Sequence, residues 1–324
     1  FIIAIGENPI DAYAALFRGA FDGKLRLGTT LAGFTPLLLT SIAFAVAAKA
    51  GAFNVGVEGE VFLGGITAAY SGINWTFRPK PALYGAWLVG AMAVAAAWAF
   101  IPAVLRAYYN VNEVCTTILM NTVALYITSY LVSGPMSAGT ANAQSLPVTV
   151  RLYQFMKPSS VNVGIFIAAI TVIVIIFMLQ KSSWGYKIRT VGLNPTHADY
   201  VGIDSKKVFI GAMMLSGMLG GMAGCIEVLG VHGYFLNNFA TGLGSNGMLA
   251  ALIVKNNMVS TPFMAFFLAV LKSGAMGMQQ STGVPKSLVD TITAVFIIIA
   301  TMETAFQFTK KRKKKTEGKK EDKA

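Results

Sequence analysis

The sequence predicts an all-α, polytopic membrane protein with about ten transmembrane helices, including discontinuous helices and an inverted repeat. Hydrophobic residues make up 55% of the 324-residue chain and charged residues only 12%, which is about half the charged share of a soluble domain. The apolar residues form long uncharged runs, and most of these approach the roughly 20 residues that a helix needs to cross a bilayer. The runs lack the alternating pattern of a membrane barrel, so helices are expected rather than strands.

The predicted spans follow one another through a transmembrane domain over residues 1–309. Phe1–Ile5 is either the end of a truncated first span or a signal remnant, and the absence of a small-residue cleavage site favours the truncated span. The later spans bring the total to about ten. In order, we predict Leu31–Ala48, Val61–Ile73, Leu83–Leu105, Val114–Val132, Val161–Gln180, Val208–Leu229, the shorter segments Met248–Val254 and Val259–Leu271, and a last span at Ser287–Phe308.

The distribution of basic residues predicts the orientation. Of the net charge of +12, the tail 310–324 contributes +6, from nine Lys or Arg against three acidic residues. Because this block follows a membrane span, it is expected to be a cytoplasmic tail that contacts anionic lipids, rather than a nucleic-acid-binding segment. The loop 181–207 contains five further Lys or Arg residues and is also placed in the cytoplasm.

Two segments interrupt the helical pattern within apolar sequence. They are Ala50–Glu60 and Gly230–Gly247, and each is followed by a short apolar helix. Non-helical backbone at membrane depth is tolerated only where protein or a water-filled cavity satisfies its amides. The spans that enter the two interruptions run in opposite directions. This arrangement predicts an inverted repeat with a solute path at its interface.

Several polar residues near these interruptions have two interpretations. Glu58 and Glu60 are candidates to bind solute, to line the path or to couple to a cation. They are equally interpretable as first-turn acids that stabilise a helix N-terminus. Asn112 and Glu113 have the same structural alternative, as a helix cap and a first-turn acid. The mid-span Asn121 is expected to form a bond between helices, with solute contact as the alternative.

Other polar groups in the second half of the chain carry weaker signals. Asn246 lies in the second interruption and is included among the candidate pathway residues. Glu227 is expected to lie at the outer end of its span, where solvent or a neighbouring loop satisfies it. His232 has no neighbouring ligands in the sequence that would complete a metal site.

The loop 181–207 contains the pattern of a short capped helix. Asn194 is a good N-cap, Pro195 suits the first helical position, and the helix is expected to end at Val201–Ile203. This helix either docks into a groove of a partner protein or lies on the membrane surface. The chain contains no P-loop, zinc-protease or serine-nucleophile motif. It is therefore not expected to be an enzyme or to hold a metal or cofactor, and any ATP must be hydrolysed by another subunit.

Three segments resemble one family. Residues 52–60 are similar to the FNIG-x-EGQ motif of permeases in the branched-chain amino acid and simple-sugar superfamily of ABC importers, with Glu60 where glutamine is common. Asn112–Val114 with Leu119–Asn121 resembles the NEV…LN element of the nucleoside branch. Residues 187–203 resemble the cytoplasmic coupling segment of the same proteins. The resemblance extends from about Leu31 to Phe306.

The resemblance implies a multi-pass permease of the bacterial plasma (inner) membrane that imports nucleosides. It also implies a second homologous permease in a heterodimer, an ABC ATPase that binds ATP and Mg, and an extracytoplasmic binding lipoprotein. The residues that match motifs near the solute path are Phe53, Asn54, Glu58, Asn112, Glu113 and Asn121. Glu60, which departs from the motif, is a further candidate pathway residue. Those that match the coupling segment are Gly192, Asn194, Pro195, Ala198, Tyr200, Gly202 and Ile203.

Two other functions are compatible with the same residues, and a third is disfavoured by them. An ABC permease for simple sugars or riboflavin-like solutes differs only in its cargo. A cation-coupled secondary transporter would use Glu58 or Glu60 as its ion site and would need no ATPase. A polytopic membrane enzyme would need a catalytic constellation that the sequence does not contain.

Overall fold

The computed structural model describes residues 8–75 and 80–282, together with residues 287 and 291. The predicted first span and the basic tail 310–324 lie outside the described residues, as does nearly all of the predicted last span. The described part is helical and contains no regular strand, only isolated bridge pairs. Its α-helices are α1 Pro9–Phe21, α2 Gly23–Lys49, α3 Val57–Asn74, α4 Lys80–Tyr109, α5 Glu113–Ser133, α6 Gly164–Lys181, α7 Ser183–Leu193, α8 Pro195–Tyr200, α9 Ser205–Ile226, α10 Leu243–Ile253 and α11 Thr261–Thr282.

Six helices of the described part are long and apolar enough to cross a membrane: α2, α4, α5, α6, α9 with its extension to His232, and α11. A polytopic, all-α membrane protein is therefore supported. The predicted total of about ten crossings and the inverted repeat are not confirmed by these helices and stay predictions.

The N-terminal region differs from the prediction. The helix α1 was not predicted, and α2 begins at Gly23 rather than at Leu31. The predicted start lies five residues after the last charge, Arg26, but a helix can continue past basic residues whose long side chains reach the aqueous boundary. Arg26 is such a residue, and its guanidinium lies 3.9 Å from the Asp22 carboxylate one turn away.

The helix α9 lies at the centre of the bundle, between α3 and α4. A methyl group added at Gly221 would lie 2.6 Å from the carbonyl oxygen of Ala91 in α4, and one added at Gly224 would lie 2.0 Å from that of Val61 in α3. Only glycine permits these approaches, and small residues at helix contacts are typical of membrane bundles. By contrast, α5 and α6 have exposed apolar side chains such as Tyr130 and Ile173, which suits contact with lipid or another subunit.

The connection between α5 and α6 covers the irregular backbone near the end of α9. The amide N–H groups of Ser145 and Leu152 donate to the carbonyl oxygens of Phe235 and Leu229, at 2.8 and 3.0 Å. The Gln154 side chain also donates to the carbonyl of Gly230, at 2.8 Å. The loop thereby satisfies backbone groups that no helix satisfies in this region.

Candidate functional site

The first interruption is held by a buried polar cluster around Asn54. Its side-chain amide nitrogen donates to the Glu60 carboxylate and to the Ser216 hydroxyl of α9, both at 2.9 Å. Its side-chain oxygen accepts from the amide N–H of Gly56, also at 2.9 Å. Asn54 and Glu60 are each 1% exposed and Ser216 is fully buried. The cluster fixes the irregular segment between α2 and α3 against the central helix.

Asn121 ties the same segment to α5. Its side-chain oxygen accepts from the amide N–H of Gly59 at 2.8 Å, and its nitrogen donates to the carbonyl of Val55 at 2.9 Å. The predicted bond between helices is therefore present, and it joins a side chain to the backbone. Phe53 packs its ring edge-on against Phe44 of α2, with the ring centres 5.0 Å apart.

The two interruptions contact each other. The Ser245 hydroxyl of α10 donates to the Glu58 carboxylate at 3.2 Å, and the Thr40 hydroxyl of α2 donates to the carbonyl of Leu243 at 3.3 Å. A methyl group added at Gly244 would lie 2.6 Å from the amide nitrogen of Glu58. Asn246 donates to the carbonyl of Gly242 within its own first turn. The start of α10 therefore packs on the start of α3.

Asn112 and Glu113 lie at the start of α5, where Asn112 is the helix cap and Glu113 is a first-turn acid. The Asn112 side chain accepts from the amide N–H of Val114 at 2.9 Å and so caps the helix. The Glu113 carboxylate lies 3.1 Å from the guanidinium of Arg106, near the end of α4. These contacts join the two helix ends.

None of the eight predicted pathway residues lines any of four cavities of about 280 to 390 Å³ found among the described residues. The contacts of Asn54, Glu60 and Asn121 hold the interrupted backbone in place. Contact of any of the eight residues with solute stays a prediction.

The predicted coupling helix is present as α8. The Asn194 side chain accepts from the amide N–H of His197 at 3.0 Å, which confirms it as the N-cap, and Pro195 occupies the first helical position. Gly202 ends the segment with a φ of +81°, a conformation that glycine adopts without strain. These features make α8 a defined structure although it has only six residues.

The helix α8 is fixed to the start of α9. The Asp199 carboxylate accepts from the amide N–H and the hydroxyl of Ser205, each at 3.0 Å, and Ala198 is fully buried beneath it. Ile203 is 9% exposed, and its amide N–H donates to the carbonyl of Ala198 at 2.9 Å. At the N-terminus of α9, the amide N–H and ammonium group of Lys207 hold the pKa of Asp204 below its ordinary value.

The coupling segment also contacts the first interruption. A methyl group added at Gly192 in α7 would lie 2.1 Å from the carbonyl oxygen of Lys49, the last residue of α2, and Gly51 packs on Gly192 from the other side of the turn. A cavity of about 320 Å³ lies here, lined by Gly51, Gly192 and Pro195 among others. The segment 187–203 and the end of α2 are therefore in direct contact.

Three large apolar or aromatic residues of the coupling segment are exposed. Leu193 is 88% exposed, Tyr200 is 86% exposed and Val201 is 54% exposed. A second cavity at this end of the bundle, of about 390 Å³, is lined by Lys49, Arg189 and Lys255 among others. The end of the bundle that carries the coupling segment therefore combines exposed apolar side chains with positive charge.

Sequence reasoning missed the partners of the predicted residues. Ser216 and Ser245 carry no local signal, since they lie 162 and 187 residues from the side chains that they bind. Glu227 lies at the end of its span, directly after α9, and of the two predicted ways to satisfy it the structure favours the neighbouring segment: its side chain is only 15% exposed, and one carboxylate oxygen lies 3.6 Å from His232. Glu227 and His232 are five residues apart, which is the i→i+5 hydrogen-bond spacing of a π-helix, and the sequence prediction did not use this spacing.

Comparison with known proteins identifies relatives of the whole chain. Residues 26–301 match the family described as branched-chain amino acid transport system / permease component. The chain is 32% identical to the guanosine ABC transporter permease protein NupP of Bacillus subtilis, over 97% of this chain and 92% of that protein. It is 31% identical to the nucleoside ABC transporter permease protein NupB of Lactococcus lactis, over 91% of this chain and 84% of that protein.

A third relative is named for a different solute, glucose. The chain is 31% identical to the glucose ABC transporter permease protein TsgB13 of Haloferax volcanii, over 92% of this chain and 81% of that protein. No solved structure matches the chain significantly.

Proposed function

The chain belongs to the family of permease components of branched-chain amino acid transport systems, and we propose that it is the transmembrane subunit of an ATP-binding-cassette importer for nucleosides. The observation that carries this proposal is the similarity to NupP and NupB over nearly the whole chain. Both relatives are named as permeases of guanosine or nucleosides. The six long apolar helices suit the multi-pass plasma-membrane location.

The ATPase is proposed to bind the exposed face of the coupling segment. Leu193 and Tyr200 are exposed residues at the ends of α7 and α8, and α8 is capped by Asn194. A partner protein can bind such side chains because the helices hold them in fixed positions. ATP and Mg would be held by that partner. A second homologous permease completes the membrane unit as a heterodimer, and an extracytoplasmic lipoprotein delivers the solute.

The coupling end is proposed to face the cytoplasm, together with the C-terminal tail. The basic residues Lys49, Arg189 and Lys255 at this end support that orientation, because cytoplasmic segments are enriched in Lys and Arg. Movement of the coupling segment would pass through Gly192 to the end of α2 and shift the interrupted segment between α2 and α3. This is how ATP binding would switch the path by alternating access.

The eight predicted pathway residues are proposed to bound the path, and three of them, Asn54, Glu60 and Asn121, to do so by holding its irregular backbone. The contacts of Asn54 with Glu60 and of Asn121 with Gly59 support that role. The runner-up function is an importer of simple sugars, favoured by the similarity to TsgB13. Transport of riboflavin-like solutes and cation-coupled transport are further alternatives.

Uptake of radiolabelled guanosine tests the cargo. Cells that express the complete transporter should accumulate guanosine, and cells that lack only this chain should not. Excess unlabelled nucleosides should compete with the uptake at least tenfold better than glucose or riboflavin at the same concentration. Competition by glucose or riboflavin alone would overturn the nucleoside assignment in favour of that solute.

A further inference from the structure

A cavity of about 280 Å³ lies between α2, α11 and the end of α9, in a place that none of the predicted pathway residues occupies. Its lining includes Thr29 and Gly33 of α2, Ser160 of the loop between α5 and α6, and Ser273 of α11. Its lining residues of α2 run from Thr29 to Leu37, which precede Lys49 by twenty and twelve residues, so the cavity lies about 18 to 30 Å along α2 from the coupling segment. It therefore extends along the half of α2 that is remote from the coupling segment.

A change of helical geometry brings Glu227 to this cavity. The helix α9 passes at Glu227 into a π-helical turn that ends at His232. Such turns are uncommon, and they occur frequently at functional sites. One Glu227 carboxylate oxygen lies 3.6 Å from the imidazole of His232, while the other is buried without a hydrogen-bond partner among the described residues. Glu227 lines the cavity with a side chain that is 15% exposed, and a polar group that enters the cavity can donate a hydrogen bond to its carboxylate.

The lining combines several hydrogen-bonding groups with apolar surface. Besides Glu227, it presents the polar side chains of Thr29, Ser160, Lys272 and Ser273. Pro36 in α2 has no amide N–H for the carbonyl of Ala32, a further lining residue, so this carbonyl lacks its usual intrahelical donor. The remaining lining is apolar and includes Leu37 and Met276. A few polar groups on an apolar wall are typical of small-molecule sites, whose volumes begin at about 300 Å³.

We infer that this cavity is the site at which the membrane subunit contacts its solute, with Glu227 as the acceptor for solute hydroxyl or N–H groups. The inference rests on the proposed function, because the solute class comes from there. A nucleoside matches the lining: its ribose hydroxyls donate hydrogen bonds to a carboxylate, and its flat base packs on apolar side chains. The sequence motifs near Asn54 then shape the bundle, while solute contact lies along the first half of α2.

Gly33 offers a direct steric test. A methyl group added at Gly33 meets no atom of the described residues within 4 Å. Leucine at this position should therefore fill the cavity without disturbing α2. Gly85 in α4 is a matched control, since a methyl group there also has no neighbour within 4 Å in the part of the chain that the structure describes, but it lines a different, apolar cavity. Guanosine uptake should fall at least tenfold in Gly33→Leu and stay within twofold of wild type in Gly85→Leu.

The second variant is Glu227→Gln, which retains the shape of the side chain but not its negative charge. It should raise the KM for guanosine at least fivefold, with unchanged recovery of the ATPase on purification. A cysteine at position 33, in a background with the exposed Cys115 replaced by serine, gives a readout that needs no transport. Guanosine should slow its reaction with a small maleimide, whereas a cysteine at position 85 should react at the same rate with or without guanosine.

The inference is overturned if guanosine does not alter labelling at position 33, or if Gly33→Leu and Glu227→Gln both transport as wild type does. Either result leaves the proposed function intact as long as the wild-type transporter accumulates guanosine. A wild-type transporter that ignores guanosine and transports another solute contradicts the proposed function instead.

Discussion

Replacement of both Leu193 and Tyr200 with aspartate is expected to abolish ATP-driven uptake by disconnecting the ATPase. Both residues are more than 85% exposed, so the substitutions remove little packing against the described residues. In an interface, a buried aromatic anchor commonly contributes about 2 kcal/mol or more, and each 1.4 kcal/mol is a tenfold change in affinity. The pair should therefore weaken ATPase binding at least a hundredfold. The measurement is the amount of ATPase that co-purifies with the tagged chain, together with guanosine uptake.

The control is Tyr153→Asp, which changes a 69% exposed tyrosine in the loop between α5 and α6. This variant should retain the ATPase, because the loop lies at the other end of α6 from the coupling segment. All variants should reach the membrane in wild-type amounts. Normal ATPase recovery with Leu193→Asp and Tyr200→Asp combined would show that the coupling segment is not the docking surface.

Replacement of Asn54 with alanine is expected to destabilise the chain by about 3 kcal/mol. The substitution leaves the Glu60 carboxylate, the Ser216 hydroxyl and the amide N–H of Gly56 without their shared partner in a buried site. A buried polar group that loses its partner costs about 1–3 kcal/mol, and more when it is charged. The apparent Tm of the purified complex in detergent should fall by several degrees, with a lower amount in the membrane.

The comparison variant is Glu60→Gln, which keeps a side-chain oxygen that can accept from Asn54. It should cost less than about 1 kcal/mol because the hydrogen bond is retained. Asn54→Ala combined with Glu60→Leu should recover part of the stability, since the unpaired carboxyl group is removed as well. An Asn54→Ala chain of wild-type stability that nevertheless fails to transport would contradict the structural role and favour solute contact.

The sequence predicted those features that depend on local chemistry. Asn194 and Pro195 encode the start of α8 within two adjacent residues, and the glycine-rich segments mark where α2 and α9 give way to irregular backbone. The helix α1 was not predicted because Asp11 and Arg18 interrupt its apolar residues and lower the hydropathy of the segment.

Which side chains form each polar cluster could not be predicted from the neighbouring sequence. Glu58 and Glu60 are two residues apart in the sequence, yet one binds Ser245 of α10 and the other shares Asn54 with Ser216 of α9. Which serine meets which carboxylate is decided by how the helices pack, and that depends on the close approach of glycines such as Gly220 to Glu60. The position of Glu227 depends on the π-helical turn, which hydrophobic periodicity does not encode.

Reconstitution into lipid vesicles tests most directly the central claim that an external ATPase drives this chain as a transport subunit. The purified complex, with its ATPase facing a medium that contains ATP and Mg and its binding protein enclosed with guanosine, should move guanosine out of the vesicle lumen. Transport should stop when ATP is replaced by a non-hydrolysable analogue. Guanosine movement by this chain alone, driven by a proton or sodium gradient without any ATPase, would contradict the account.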